Sequence, residues 1–290
     1  MGDFSAMAHA LVSLGSNLGG RAETLDAALT ELSRLPLTRL IRRSGWYETP
    51  PIGGPAGQGA FLNGAALLST VLTPRTMLAS LQRIELELGR VRSERWGARM
   101  IDLDLLLFDR QVIAEVDFAL PHPRMAYRQF VLEPAAEAAA WMVDPTCGWT
   151  VQALWSHLRA GANVVAIAAE SPSLAAGWRS RLSSAVQQAE PAALRASRPS
   201  VTTWDEYRRA AGVVRPRLIL AFTGDPSPPD MAPAGATGNT ANPWRTILHL
   251  PPDGPIAWIP EDGRADPLAE AVAAIQAVWP ALASTAPLSN

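Results

Sequence analysis

The alternation of apolar and polar positions in the first half of the chain predicts strands and helices in a definite order. Residues 9–14, 39–48 and 61–72 have the apolar content and flanking turn residues of strands. Residues 23–35 and 74–89 carry apolar side chains three or four positions apart, as a helix with one buried face does. With a further strand near residue 101, the order is βαββαβ. This order predicts an α+β, ferredoxin-like sandwich with both helices on one side of an antiparallel sheet.

The pattern changes in the second half of the chain. Two helices, at residues 130–140 and 151–159, are expected to close a first domain at residues 8–160. Beyond it, four short strands and two helices are predicted, at residues 164–169, 217–222, 246–250 and 256–259 and at residues 174–188 and 267–278. Proline-rich and alanine-rich joints separate them at residues 190–200 and 224–243. We expect a smaller α/β domain of unknown type at residues 161–290.

A pair of carboxylates inside an apolar run is the most informative chemical feature. Asp102 and Asp104 stand in RWGARMIDLDLLLF, and side chains two residues apart on a strand share one face. Three apolar neighbours should point to the opposite, buried face: Ile101, Leu103 and Leu105. Adjacent carboxylates repel each other unless a cation lies between them, so the pair is either solvated or a site for a hard divalent cation. Nearby arginines favour a magnesium site that faces nucleotide phosphates: Arg92, Arg95 and Arg99.

Composition excludes several other classes. The net charge of -2 and the pI near 6.1 are not those of a strongly basic nucleic-acid or membrane-surface protein. A single cysteine, Cys147, cannot form an internal disulfide. No apolar run approaches the roughly 20 residues that span a bilayer, so we expect a cytoplasmic protein. The sequence contains no lysine, which excludes Schiff-base chemistry and a phosphate-loop lysine but leaves arginine to bind phosphate.

Five sequence blocks between about residue 11 and about residue 158 occur in the order of a known family: VSLGSNLG, YETPPIG, FLNGAALL, QRIELELGRVRSERWGARMIDLDLLLF and LPHPRMAYRQFVLEP. The chain resembles the 6-hydroxymethyl-7,8-dihydropterin pyrophosphokinases (2-amino-4-hydroxy-6-hydroxymethyldihydropteridine diphosphokinases). The resemblance implies the same fold and a transferase of tetrahydrofolate biosynthesis. Such an enzyme moves a diphosphate from ATP to the hydroxymethyl group of the reduced pterin and releases AMP.

The resemblance also implies roles for individual residues. Two Mg²⁺ ions are expected on Asp102 and Asp104, with catalytic roles for these acids and for Arg90, Arg99 and His122. The expected ATP contacts are Gln82, Glu85, Arg90, Arg92, Arg95, Trp96, Arg99, Leu105, His122 and Arg128. The expected pterin contacts are Thr49, Pro50, Ile52, Phe61, Asn63, Trp96, Asp102 and Phe130. A flat pterin suits aromatic faces, and an asparagine can both donate to and accept from its edge.

Other interpretations remain open at this stage. Without the resemblance, Gln82 and Glu85 are ordinary helix-surface residues, and Phe61 and Phe130 ordinary core residues. The first domain could be a non-catalytic nucleotide-binding scaffold, and the second could give a bifunctional protein. Its segment VVAIAAESPSLAAGWRSRL has the strand, loop and helix order of a degenerate nucleotide-kinase-like module, yet it lacks GxxxxGK[ST]. Association with other folate-pathway enzymes is a further expectation, and no nucleic-acid or membrane partner is expected.

Overall fold

The structure is a computed structural model, which describes residues 7–52, 58–90, 98–115, 117–188, 199–210, 215–223, 255–260 and 265–279. Its first part is built on an antiparallel sheet with the strand order β2-β4-β1-β5, and a short strand, β3, also pairs with β4. The strands are β1 (Ala8–Ser16), β2 (Thr38–Arg43), β3 (Tyr47–Thr49), β4 (Phe61–Thr70) and β5 (Asp102–Phe108). The predicted strand at residues 39–48 is therefore two strands. They are separated at Ser44, whose hydroxyl accepts from the Ala65 amide at 2.9 Å.

Two helices cover one face of this sheet, as predicted. These are α1 (Arg21–Ser33) and α2 (Pro74–Glu87). Leu25 of α1 and Leu81 of α2 pack in one buried cluster with Val12 of β1. The hydroxyl of Thr73 caps α2 by accepting from the Thr76 amide, and the helix ends two residues before Gly89, which has a φ of 85°. The α+β class and the antiparallel sheet are thus confirmed, and the element order differs from the predicted βαββαβ only in that the second predicted strand is divided into β2 and β3.

The opposite face of the sheet is covered by a second set of elements. They are a turn of 3₁₀ helix (Met125–Tyr127), α3 (Gln129–Ala139) and α4 (Val151–Ala160). A hairpin of β6 (Ile113–Glu115) and β7 (Phe118–Leu120) lies instead on the side of α1 and α2, where Phe118 and Leu120 are buried in their cluster. Leu11 of β1 and Leu107 of β5 pack on this side with Val131 and Leu132 of α3. The sequence did not predict the hairpin, because strands of three residues are too short for a period-two pattern to be distinguished.

The second part of the chain forms a parallel sheet with the strand order β11-β10-β8-β9. Its elements are β8 (Ala162–Ala169), α5 (Pro172–Gln188), β9 (Ser200–Thr203), α6 (Trp204–Ala210), β10 (Pro216–Thr223), β11 (Ala257–Pro260) and α7 (Pro267–Val278). We call residues 161–279 the C-terminal module. The sequence missed β9 and α6. The predicted strand at residues 246–250, the joint at residues 224–243 and most of that at residues 190–200 lie outside the described residues.

The two parts share one hydrophobic core. Leu132 and Leu154 of the first part pack in the same buried cluster as Val165, Leu220 and Ile275 of the C-terminal module. Gly161 alone separates α4 from β8. The boundary between residues 160 and 161 therefore stays a prediction, but the two parts pack directly on each other. Among the described residues, no helix is both long and apolar enough to cross a membrane.

Candidate active site

The predicted acceptor and metal residues meet at one end of the antiparallel sheet, on either side of Gly15. This glycine of β1 pairs with Asn63 of β4 and with Asp102 of β5. Directly paired residues point to the same face, so Asn63 and Asp102 lie across two strand spacings, roughly 10 Å apart. A Cβ at Gly15 would lie 3.2 Å from Asn63 Oδ1 and 3.9 Å from Phe61 Cδ1. The missing side chain thus leaves room for these two residues.

The two carboxylates share a face, as the alternation predicted. Their apolar neighbours point the other way into the core beneath α1 and α2: Ile101, Leu103 and Leu105. Asp102 is paired on both oxygens, with Arg90 Nη2 at 2.9 Å from Oδ1 and Arg99 Nη1 at 2.7 Å from Oδ2. Burial and the neighbouring Asp104 raise the pKa of Asp102, whereas Arg99, Arg90 and Arg128 lower it. The carboxylate pair therefore favours positive charge, which the arginines supply in this structure.

The second helix contributes a buried carboxylate, Glu85, for which the resemblance implied an ATP contact and the residue pattern alone indicated a surface position. Glu85 is 2% exposed, and its Oε1 accepts from the Leu103 amide at 2.8 Å and forms an ion pair with Arg90. Burial raises the pKa of Glu85, against the lowering effect of the Leu103 amide and the Arg90 guanidinium. Glu85 therefore joins α2 to β5 and holds the arginine that contacts Asp102. Gln82, three residues earlier, is exposed.

His122 faces the carboxylate pair from the other side. Its Nδ1 accepts from the Arg124 amide at 3.2 Å, and its Nε2 lies 3.9 Å from Asp104 Oδ2. Burial lowers the pKa of His122 to about 4, against the raising effect of Asp104, and the guanidinium groups of Arg128 and Arg124 lower it further. The ring is therefore neutral near pH 7. Because Nδ1 is the acceptor, Nε2 carries the hydrogen and points toward the carboxylates.

The predicted pterin residues lie next to each other on β3 and β4. The Asn63 amide donates to Thr49 Oγ1 at 2.8 Å, and Thr49 pairs with Phe61 across the two strands. Ile52 and Phe130 are half-buried and pack against the shared core. Pro50 is also half-buried. Of the predicted site residues, Arg92, Arg95 and Trp96 lie outside the described residues, and the Leu105 side chain lies in the core on the face away from the aspartates.

One residue of the site was missed by sequence reasoning. Asn17 follows β1 and is 6% exposed. Its side-chain Oδ1 accepts from the Arg99 backbone amide at 2.7 Å, and its backbone amide donates to the Arg99 carbonyl at 3.1 Å. Its side chain also donates to Gln58 Oε1 at 3.3 Å. Asn17 therefore fixes the backbone at Arg99. The GSN sequence at the end of the first strand was the available signal, and it was interpreted only as a loop.

The carboxylates of Asp102 and Asp104 can hold a divalent cation only if substrate oxygens supply further ligands. Among the described residues, no group of three or more His, Cys, Asp and Glu side chains could hold a metal ion. Asp102 and Asp104 alone offer carboxylate oxygens on one face. Magnesium is commonly bound in this way, through one or two carboxylates together with substrate phosphates and water.

Comparisons with known proteins identify the family. A family model for 7,8-dihydro-6-hydroxymethylpterin-pyrophosphokinase (HPPK) matches residues 11–140. The chain is 49% identical over 128 residues to the 2-amino-4-hydroxy-6-hydroxymethyldihydropteridine pyrophosphokinase of Pseudomonas aeruginosa, covering 78% of that protein and 44% of this chain. The chain belongs to the HPPK family. The corresponding Haemophilus influenzae protein is 42% identical over 139 residues, covering 86% of that protein and 48% of this chain.

The match to the HPPK family includes the sheet, both helices beneath it, the segment that carries His122 and the whole of α3, but α4 begins beyond it. The C-terminal module lies outside this match. Among solved structures, Plasmodium falciparum HPPK-DHPS with pteroate aligns over 75% of this chain and 63% of that chain, at 13% identity and a TM-score of 0.41. This chain therefore spans less than two thirds of the solved one.

Proposed function

We propose that this HPPK-family chain transfers a diphosphate from ATP to the hydroxymethyl group of 6-hydroxymethyl-7,8-dihydropterin. The hydroxyl oxygen forms a bond to the β-phosphorus, the bond from that phosphorus to the α,β-bridging oxygen breaks, and AMP leaves. The observation that carries the proposal is the placement of Asn63 and Asp102 on either side of Gly15. This placement supports an acceptor pocket next to a carboxylate pair, an arrangement that would hold the two substrates in line.

We assign the acceptor pocket to Thr49, Pro50, Ile52, Phe61, Asn63 and Phe130. Asn63 is 6% exposed, so water does not satisfy its side-chain donor and acceptor groups, which need partners from the protein or the substrate. Its amide already donates to Thr49, and we propose that its oxygen and its second N–H contact the edge of the pterin. Phe61 and Phe130 would enclose the flat ring, and Arg128, whose guanidinium lies 5.6 Å from the Phe130 ring centroid, would restrict the motion of that phenyl group.

We assign the cation site to Asp102 and Asp104, with two Mg²⁺ ions. Bound magnesium would neutralise phosphate charge and so favour attack on the β-phosphorus. The protein contributes the two carboxylates on one face and the arginines beside them. Arg90 and Arg99 now pair with Asp102, and we propose that both guanidinium groups turn to the phosphates when nucleotide binds. Arg92, Arg95 and Trp96 stay predicted nucleotide contacts, as do Gln82 and Leu105.

We assign His122 the role of a hydrogen-bond donor to the phosphates rather than that of a base. The hydrogen on Nε2 follows from the Arg124 amide at Nδ1. A neutral imidazole donates without adding to the positive charge of the arginines, and its low pKa keeps it neutral through the physiological range. Arg128, buried close to Asp104 and Asp102, adds a fixed positive charge.

The test is AMP formation from ATP and magnesium with the pterin present or omitted. We expect pterin-dependent AMP from the full chain, and a loss of roughly 100-fold or more in Asp104→Asn, since this variant removes a charged ligand while keeping the side-chain shape. The matched control is Asp109→Asn at the end of β5, where the oxygen that accepts from the His9 amide is retained and the φ of 45° suits asparagine. Formation of ADP instead of AMP, or full activity in Asp104→Asn, would contradict the proposal.

The two remaining expectations are a cytoplasmic location and an association with other folate-pathway enzymes. Both stay predictions. A non-catalytic scaffold would bind nucleotide in the same assay without forming AMP, so the experiment also separates that alternative.

A further inference from the structure

The segment that carries His122 and Arg128 is held from outside by the last helix of the C-terminal module. In the first turn of α7, Glu270 Oε2 accepts from Arg124 Nη2 at 2.8 Å. At the final residue of α7, the carbonyl of Val278 accepts from Gln129 Nε2 at 2.6 Å. The helix rises about 12 Å between these two residues, so it spans the segment from the 3₁₀ turn to the start of α3.

Apolar contacts hold α7 in the same position. Ala271, Ala274 and Ile275 of α7 are buried in one cluster with Met125 and Val131, which flank Arg128. The polar contacts at the two ends of α7 are therefore not isolated surface pairs. They join a helix that is already packed against the segment, which reduces the entropy that each contact must offset.

Glu270 is connected to the candidate active site by its contact with Arg124. The Glu270 side chain is 10% exposed and that of Arg124 34%, so water screens the pair only partly. The Arg124 amide donates to His122 Nδ1, and His122 Nε2 faces Asp104. Burial raises the pKa of Tyr127, which lies between Arg124 and Arg128 in the sequence. The two guanidinium groups lower this pKa and the Glu270 carboxylate raises it, so all three charges act on the Tyr127 hydroxyl.

We propose that Glu270 is a positioning residue for diphosphate transfer: by holding Arg124, it keeps the His122–Arg128 segment directed at Asp102 and Asp104. The inference rests on the proposed function and extends it to a residue far outside the family match at residues 11–140. The C-terminal module is then part of the working enzyme, with Glu270 acting through Arg124 rather than on the substrate itself.

The test compares Glu270→Gln with Glu206→Gln in the full-length chain. Glu206 lies in the same module and also pairs with an arginine, with its Oε1 2.7 Å from Arg179 Nη1, but it lies on α6 rather than α7. Two quantities are measured for each protein: kcat and KM for ATP in pterin-dependent AMP formation, and the Kd of a magnesium complex of α,β-methylene ATP, in which the bond that breaks is replaced, by calorimetry. Thermal unfolding is followed in parallel.

We expect Glu270→Gln to lower kcat/KM for ATP by about 10-fold and to raise the Kd of the analogue several-fold, with Glu206→Gln at wild-type values. A purely structural glutamate would lower the unfolding temperature and leave the constants of the folded enzyme unchanged, which would overturn the inference. If Glu270→Gln does not fold, Glu270→Asp replaces it, with a smaller loss in the same direction expected and wild-type constants overturning the proposal. If the wild type forms no pterin-dependent AMP, the proposed function fails, while the ratio of analogue Kd values still decides the role of Glu270.

Discussion

Replacement of Glu85 by alanine tests the structural basis of the site most directly. Glu85 accepts from the buried Leu103 amide and pairs with Arg90, which in turn contacts Asp102. Alanine leaves the Leu103 amide without its acceptor, at a cost of about 1–3 kcal/mol, and removes one buried methylene worth about 0.8 kcal/mol. Arg90 keeps Asp102 as a partner, so the full cost of breaking a buried ion pair does not apply. We expect a loss of about 3 kcal/mol in the free energy of unfolding.

The chain offers a matched control two residues further along the same helix. Glu87 also lies on α2 and also pairs with an arginine, with its Oε1 2.7 Å from Arg83 Nη1, but its side chain is 48% exposed. Glu87→Ala should therefore change the free energy of unfolding by no more than about 0.5 kcal/mol. Urea denaturation of both variants gives the comparison. A cost below about 1 kcal/mol for Glu85→Ala, or equal costs for both, would refute the assignment of Glu85 as the buried link between α2 and β5.

The pH dependence of Glu85→Gln adds an independent check. Glutamine keeps an acceptor for the Leu103 amide and carries no charge. Since burial raises the folded-state pKa of Glu85 above its ordinary value of 4.5, folding of the wild type takes up a proton between the unfolded and folded pKa values. The wild type should therefore lose stability relative to Glu85→Gln as the pH rises from 4.5 through the folded pKa. An unchanged or opposite difference would show that the ion pair with Arg90 outweighs burial.

Three further substitutions test neighbouring features. Gly64→Ala should lower the free energy of unfolding by about 1–3 kcal/mol or more in urea denaturation, because the new Cβ would overlap the buried ring of Trp46. Asn63→Ala should raise the KM for the pterin by about 10-fold or more with little change in KM for ATP, and equal effects on both would contradict its place in the acceptor pocket. Asn17→Ala should weaken binding of α,β-methylene ATP by about 10-fold, since the Arg99 amide loses its acceptor; an unchanged Kd would remove Asn17 from the site.

The sheet of the first part and the face of the aspartates were predictable from the sequence because both depend on a local period. Asp102 and Asp104 had to share a face once residues 101–108 formed a strand. The placement of Leu103 and Leu105 in the core follows from the same alternation. The apolar spacing of α2 likewise predicted its buried face, including Met77 and Ile84.

Features that depend on distant residues could not be read from such patterns. The residue pattern alone made Glu85 an ordinary helix-surface residue, because its buried contacts, to the Leu103 amide and to Arg90, are with residues outside α2. The contact between Arg124 and Glu270 joins residues 146 positions apart. No periodicity indicates such a pairing, and the motif that includes Arg124 gives no sign of a partner in the C-terminal module.

The charge balance at Asp102 explains why contacts between residues distant in the sequence affect the candidate active site. Burial and Asp104 both oppose ionisation of Asp102, so the carboxylate pair depends on guanidinium groups that approach it from separate elements. Each of those arginines is held by a partner of its own: Arg90 by Glu85 and Arg99 through the Asn17 contacts to its backbone. Arg90 and Arg99 could therefore exchange Asp102 for substrate phosphates without leaving the site. The entropic cost of this exchange would be low, because both side chains are already ordered. On this argument, the residues that orient the arginines determine activity as much as the arginines themselves.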